Sequence, residues 1–302
     1  MGDLDIRRLL LLKAVADAGS LSGAATRLAF TTSAVSQQIA KLEKEAGLPL
    51  VERHARGVRP TEAGEALVAH ASRVEEQLAA ARADMDEFVG LRRGRLDIGA
   101  FPTVGASLVP RVVVEMRRRH PDIRVSVASG RLDVLGGLLR RREVDLALLW
   151  DYAWAPLDES DLVVDPVCDD PTVLLLPKNH RLAGSGEVDV ADMADEDWII
   201  RAEHPVASVL ERVCGGAGFA PHVVMSANDY PEVQGMVAAG IGIALAPRLA
   251  VLAPRDDVVV VPLTGNPAPR RILLARLEGR RVSPPALAAL PVVKACAKAL
   301  SP

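Results

Sequence analysis

Between Thr31 and Gln38 the chain sets six polar side chains, Thr31, Thr32, Ser33, Ser36, Gln37 and Gln38, against apolar residues at Val35, Ile39 and Leu42. Spacings of three and four predict a helix with one apolar and one polar face. Hydroxyls and carboxamides on an exposed helix face suit the reading of base edges in a major groove: a carboxamide pairs well with adenine, and a hydroxyl tolerates either base. Such a face carries little charge, so affinity for phosphate must come from elsewhere. Arg53, His54, Arg56 and Arg59 follow in a segment punctuated by Gly57 and Pro60. There, cations would fix position on the backbone while the polar face supplies sequence choice.

The elements that must hold this face are legible upstream. Leu21, Ala24, Ala25 and Leu28 repeat at helical spacing, and Ser20 before them is a capping residue. A short turn at Thr31 and Thr32 joins this helix to the next. Asp5 caps a still earlier helix. Taken alone, two amphipathic helices with a short turn also suit many all-α domains, and Arg53 to Arg59 also suit a solvated basic loop.

Ala34-Val-Ser-Gln-Gln-Ile-Ala-Lys-Leu-Glu43, Gly47-Leu-Pro-Leu-Val-Glu-Arg53 and Pro60-Thr-Glu-Ala-Gly64 together resemble the winged helix-turn-helix of LysR-type transcriptional regulators, over some 45 positions. Two departures stand out. Val51 occupies a position where that family usually has Phe, and Ser33 and Gln37 replace its frequent Pro and Arg. The first bears on wing packing, the second on operator sequence.

A chain of 302 residues is long enough for two or three domains, each with its own core. Its net charge of −3 argues at first against DNA. Residues 1–60, however, hold 9 Lys and Arg against 6 Asp and Glu, a balance of +3, so the remaining 27 against 33 carry −6. The basic excess sits where the polar helix sits. Cys168, Cys214 and Cys296 are widely spaced and odd in number, which suits free thiols in a reducing cytoplasm; a redox-sensing pair is the alternative. The longest uncharged apolar run, Val233 to Pro247 after Glu232, is too short and glycine-rich to span a bilayer. No membrane partner is expected, and the location expected is the cytoplasm.

No Gly or Pro interrupts the chain between Gly64 and Gly90, and Leu67, Val74, Ala81 and Phe88 alternate at heptad spacing with Ala71, Leu78 and Met85. This is a coiled-coil seam, predicting a helix of roughly 40 Å at about 1.5 Å per residue. Pairing with a second copy would present two recognition helices to a two-fold symmetric operator; packing on its own domain is the alternative. In the resembled family this segment is the dimerising linker helix.

Beyond the Gly90–Gly94 hinge, short apolar runs alternate with helical segments: 96–100, 123–128, 144–149, 173–176, 198–200, 223–226, 243–246, 258–263 and 272–275. Strands separated by helices predict parallel sheets with covered faces, in two lobes. Leu108-Val-Pro110, Val144-Asp-Leu-Ala-Leu148, Leu176-Pro-Lys-Asn-His180 and Gly235 to Pro247 also resemble the family's effector-binding domain. That resemblance implies a pair of Rossmann-like lobes, similar to periplasmic solute-binding proteins, with a small molecule between them.

Ligands of such sheets sit at the carboxyl ends of strands. This rule nominates Pro102, Thr103, Ser129, Trp150, Tyr152, Arg201, Ala202 and Asn228. Thr103 matches a hydroxyl position the family uses for effectors, and is equally suited to capping a helix. Arg201 and His204 are candidates to pair with an acidic effector, or simply solvated loop residues. Trp150, Tyr152 and Trp154, in a chain with 3% aromatics, suit an aromatic-ligand wall or a lobe interface.

No nucleophile elbow, phosphate loop or metal-spaced cluster is present, and Gly240-Ile-Gly242 lacks the third glycine of a dinucleotide fingerprint. No catalytic residue, metal or cofactor is therefore expected. The expected fold is α+β multidomain: a winged helix-turn-helix over 1–60, a linker helix over 61–92, and a two-lobed α/β domain over 93–302, with lobes 93–165 plus 267–302 and 166–266. Its partners are double-stranded operator DNA, a carboxylate or aromatic effector, and itself as a dimer or tetramer. The competing reading is a solute-binding module whose N-terminal helices serve only protein association.

Overall fold

The computed structural model describes residues 4–54, 57–88, 94–202, 206–265, 269–279 and 281–300. The chain forms two compact units, one of residues 1–91 with 140–143 and a second built from 92–139 and 144–302. In the first, α1 (Ile6–Ala18), α2 (Leu21–Leu28) and α3 (Thr32–Ala46) precede a hairpin of β1 (Val51–His54) and β2 (Gly57–Pro60), then α4 (Glu62–Phe88). Asp5, Ser20 and Thr31 each accept a backbone N–H at the start of their helix, satisfying donors that have no intrahelical partner. Leu12, Val15, Ala24, Val35, Ile39, Leu42 and Leu50 make the core.

Polar clamps fix α3 inside this core. Arg8 on α1 donates from Nε to Gln38 Oε1 at 3.0 Å and pairs with Glu45. Glu43 Oε1 accepts the Leu50 and Val51 N–H groups at 2.9 and 3.3 Å, tying α3 to the wing. The wing in turn lies on the α1–α2 turn, where Val58 N–H donates to Gly19 O at 2.9 Å. Gly57, at φ 139°, permits this approach, since any side chain there would run into the Gly19 carbonyl.

The α4 seam divides. Ala71 is buried, and Leu67 and Val68 pack on the core of their own unit, so this side of the first half is taken up by α1. Lys13 reinforces that contact with an ion pair to Glu75 at 3.4 Å. Leu78 and Met85, farther along, are exposed.

The second unit runs β3 (Arg95–Ala100), α5 (Pro102–Ala106), α6 (Leu108–Arg119), β4 (Arg124–Ser129), α7 (Leu132–Arg140), β5 (Leu146–Asp151), β6 (Leu162–Asp170), β7 (Thr172–Pro177), β8 (Asp197–Arg201), α8 (Val206–Gly216), β9 (His222–Ala227), α9 (Tyr230–Ala238), β10 (Ala244–Pro247), β11 (Val258–Pro262), β12 (Arg270–Leu277) and α10 (Pro284–Lys298). Lobe I is a five-stranded sheet in the order β4-β3-β5-β12-β6, packed with α6, α7 and α10. In lobe II the sheet β10-β7-β11 meets the parallel pair β8-β9 through a Trp198–Ile243 bridge. Alternate residues of β7 serve two cores, Leu174 and Leu176 beneath α8, Val173 and Leu175 beneath α9.

The sheets are mixed, which corrects the all-parallel expectation. β12 runs antiparallel to both β5 and β6, and β10 and β11 run antiparallel to β7. β6 carries the chain out of lobe I and β12 brings it back beside it, so the two must run in opposite directions. β6 has no counterpart among the apolar runs because Asp165, Pro166, Asp169 and Asp170 interrupt it. It lies at the sheet edge, where proline and charge are tolerated, and its register shifts opposite Ile272 and Leu273.

At the crossing, Arg270 and Asp170 are fully buried and face each other in register. Arg270 Nη2 and Nε donate to Asp170 Oδ2 at 2.6 and 3.2 Å, while Asp170 Oδ1 accepts the Leu249 N–H at 2.9 Å. The guanidinium lies 4.9 Å from the Phe101 ring and 5.9 Å from the Trp150 ring. Burial pushes the Asp170 carboxyl up from its ordinary range, against the pull of Arg270. Replacing Arg270 by Met strands a buried acid and is expected to destabilise this unit by about 3–5 kcal/mol, with Asp170→Asn recovering part of the loss. Guanidinium unfolding followed by tryptophan fluorescence checks this; a single variant within about 1 kcal/mol of the parent would contradict it.

Candidate functional site

Capping by Thr31 Oγ1 on the Ala34 N–H, at 3.2 Å, sets the start of α3, and burial of Val35, Ile39 and Leu42 sets its rotation. Thr32, Ser33 and Gln37 are consequently exposed on one face, and Ser36 is half-buried. Gln38 turns inward to Arg8, so its carboxamide is engaged within the unit. The same outer face continues through Ala40, Lys41 and Lys44. Composition pointed past these two lysines, yet their offsets of four and seven from Gln37 place them on its stripe. Arg59 is exposed on β2, opposite Glu52. The Arg53 side chain and all of Arg56 lie outside the described residues.

In lobe I, β3, β4 and β5 are parallel, with Ala100 beside both Ser129 and Leu148. Pro102, Thr103, Ser129 and Trp150 therefore lie along one carboxyl edge. In lobe II, Arg201 pairs in register with Ala227, bringing Arg201, Ala202 and Asn228 to the carboxyl edge of β8-β9. Arg201 Nε donates to the Asn228 carbonyl at 3.2 Å, and Ala202 N–H to the Ala227 carbonyl at 2.7 Å. Thr103 is buried, and its carbonyl accepts from Ser107 Oγ at 2.8 Å.

Rings and cations line the ground between these edges. Phe101 and Trp150 meet edge to face at 6.5 Å, as do Trp150 and Tyr152 at 5.7 Å; Tyr152 and Trp154 stack at 4.4 Å. Arg201 lies 5.3 Å from the Tyr230 ring. Burial pushes the Tyr152 phenol up to about 12 and Tyr230 higher still, although Arg270 opposes both shifts. Each phenol thus stays a neutral O–H at physiological pH, able to donate. Phe101, Tyr230 and Arg270 escaped the sequence reading: each belongs to this cluster through partners far away in sequence.

Other candidates resolve as structural. His180 accepts the Leu182 N–H on Nδ1 and meets Glu196 at 3.1 Å through Nε2. His204 lies outside the described residues. Among the described residues no three His, Cys, Asp or Glu side chains form a metal-binding group, and no single helix is long and apolar enough to cross a membrane.

A winged helix-turn-helix with an uncharged polar face, in a chain with a two-lobed α/β ligand domain, defines a DNA-binding transcriptional regulator. Residues 6–65 match the family model described as bacterial regulatory helix-turn-helix protein, lysR family, and residues 90–296 match the LysR substrate binding domain. The chain belongs to the LysR family of transcriptional regulators. It is 30% identical over 290 residues to the transcriptional dual regulator GltC of Bacillus subtilis, covering 94% of each chain. Among solved structures it resembles HinK, a LysR family regulator of Pseudomonas aeruginosa, with a TM-score of 0.60 at 24% identity over 99% of each chain. It also resembles the CcmR regulatory domain of Synechocystis in complex with 2-PG, with a TM-score of 0.59 at 22% identity over 68% of this chain and 98% of that one. These two likenesses speak for the fold alone. The family comprises regulators, not enzymes, and its members bind DNA and small-molecule effectors and form oligomers. A helix-turn-helix serving only protein association is thereby set aside.

Burial raises the Cys168 and Cys214 thiols to about 11 and shifts Cys296 in the same direction. The thiolate is the reactive form, so alkylation of the folded chain by iodoacetamide near neutral pH should run on the order of a hundredfold slower than in guanidinium. Rapid labelling of any one cysteine in the native state would show an electropositive environment the fold does not supply.

Proposed function

We propose that this regulator reads a two-fold symmetric operator as a homodimer or homotetramer. Thr31, Thr32, Ser33, Ser36 and Gln37 face base edges at the N-terminal half of α3, with Gln38 at the margin of that face. Arg53, Arg56 and Arg59 of the wing hold phosphates. The observation that carries this reading is the exposed, uncharged stripe of Thr32, Ser33 and Gln37, while neighbouring polar groups on α3 are committed to internal clamps. Lys41 and Lys44 add charge on the same face. Leu78 and Met85, exposed on the distal half of α4, support pairing of that half with a second copy.

The effector in this reading is a small carboxylate, aromatic or otherwise, held between the lobes by Pro102, Thr103, Ser129, Trp150, Tyr152, Arg201, Ala202 and Asn228. Arg201 and the two neutral phenols supply donors, and the rings supply an apolar wall. A ligand that fits one lobe arrangement better than another shifts the population toward it.

Anisotropy titrations on operator and scrambled duplexes at several salt concentrations test the DNA half. Gln37→Ala is expected to lose about 1–3 kcal/mol of discrimination at one base pair of each half-site, with scrambled binding unchanged. Arg59→Ala should weaken both duplexes alike and lower the salt slope by about one per subunit. Equal loss on both duplexes for Gln37→Ala would remove α3 from base reading. For the oligomer, Leu78→Asp should shift sedimentation toward the monomer and weaken operator binding. An unchanged sedimentation profile would place the interface elsewhere.

A further inference from the structure

Lobe I sends a tight turn into lobe II. It is closed by the Ala155 N–H donating to the Tyr152 carbonyl at 2.9 Å. Tyr152 is buried in the core beneath α8, Trp154 stacks on it at 4.4 Å and 19°, and Arg212 of α8 lies 4.9 Å from the Trp154 ring. Phenol and indole thus form a stacked pair with a guanidinium over the indole. Beside it opens a cavity of about 520 Å³, whose lining includes Trp154, Asp189, Val190, Arg212, Val213 and Thr264.

We propose that this cavity is a second ligand site, separate from the cleft between the lobes, for a small organic acid with an apolar body. Arg212 is exposed, lies over the Trp154 ring at the mouth of the cavity, and among the described residues makes no hydrogen bond or ion pair, so its guanidinium is free to take up a ligand. A guanidinium presents a planar N–H fork that a carboxylate accepts in bidentate fashion, and the neighbouring ring limits where that fork can lie. Val190, Val213 and the edge of Trp154 give the apolar body its contact, and the volume lies in the range of small-molecule sites. Asp189 already uses Oδ1 to cap the Ala191 N–H at 3.0 Å, and its charge disfavours polyanions, leaving mono-acids. Gly216 also lines the cavity, and a Cβ there would meet nothing within 4 Å. α8 therefore presents open space where a side chain would fill the site.

The site also has a reach that neither lobe has alone. Trp154 comes from the lobe I turn, Arg212 from α8, and Thr264 and Pro269 from the segment returning the chain to lobe I. A ligand here touches the segments that cross between the lobes and biases their arrangement, with Tyr152, stacked on Trp154, linking it to the cleft.

The chain has three tryptophans, so 5-fluorotryptophan labelling of the full-length protein gives three ¹⁹F signals, assigned by single Trp→Phe variants. The probe is 3-phenylpropionate, with 3-phenylpropanamide as the neutral control. The acid should shift the Trp154 signal saturably and the amide should not. Arg212→Gln should weaken the acid at least about tenfold, as expected for loss of a charge-assisted pair. Gly216→Phe, with unchanged circular dichroism, should abolish the shift, and Thr103→Val should leave it intact. The proposal is overturned if Trp154 shows no saturable shift, if the shift survives Arg212→Gln undiminished, or if Thr103→Val removes it, which would place the probe in the cleft.

Discussion

The ion pair between Arg270 and Asp170 is the constraint around which the ligand-binding unit is arranged. Two charges removed from water carry a large desolvation penalty, offset only when geometry is good and the remaining polar atoms have partners. Asp170 meets that condition by also accepting the Leu249 N–H, which ties lobe II to the crossing strand. Arg270 meets it only in part: Nε and Nη2 are bonded to Asp170, the Phe101 and Trp150 rings flank the cation, and Nη1 is buried without a hydrogen-bond partner. The next residue repeats the device on the other neighbouring strand: Arg271 donates to both Asp151 oxygens at 2.7 and 2.6 Å. β12 is stitched to β5 on one side and β6 on the other by successive arginines. The lobe crossing is thereby a defined pivot.

The N-terminal unit uses polar anchors for a different end. Arg8, Glu43 and Glu45 fasten α3 from within, and Gly57 and Gly64 let backbone approach backbone where a Cβ would collide. Those anchors engage the inward and flanking groups of α3, while Thr32, Ser33 and Gln37 on its outer face are exposed. A recognition face of this kind depends on rigidity, because discrimination between base pairs rests on hydrogen bonds held in fixed register.

What the sequence made legible was local. The caps at Asp5, Ser20 and Thr31, the apolar faces of α2 and α3, and nine of the strands beyond residue 94 follow from spacing within a few residues. What escaped it depended on partners distant in the chain. Nothing local to Gln38 shows that its Oε1 accepts from Arg8, thirty residues earlier. The α4 heptads read as one seam, because nothing in their own spacing says that α1 covers the first half. β6 is masked by its acids and proline, whose tolerance comes from an edge position and from Arg270, a hundred residues away. Arg270 itself stands in an unremarkable Pro-Arg-Arg, and only the fold buries it.

Five of the nine aromatic rings, Phe101, Trp150, Tyr152, Trp154 and Tyr230, gather where the lobes meet. The burial of ring surface is non-directional, so it tolerates small sliding that a hydrogen-bonded interface would not. Trp150, packed against the cores of both lobes, sits where such sliding would be felt. An ionic crossing beside a cluster of rings is the kind of junction that the lobe rearrangement proposed above calls for. The energy for that choice has to come from a ligand's difference in affinity, with roughly 5.5 kcal/mol needed to carry a two-state equilibrium from 1:99 to 99:1. One carboxylate on one arginine falls short of that. In the effector site proposed above several donors come nearer to it, and there the joint placement of Arg201 and the phenols counts for more than the strength of any single contact.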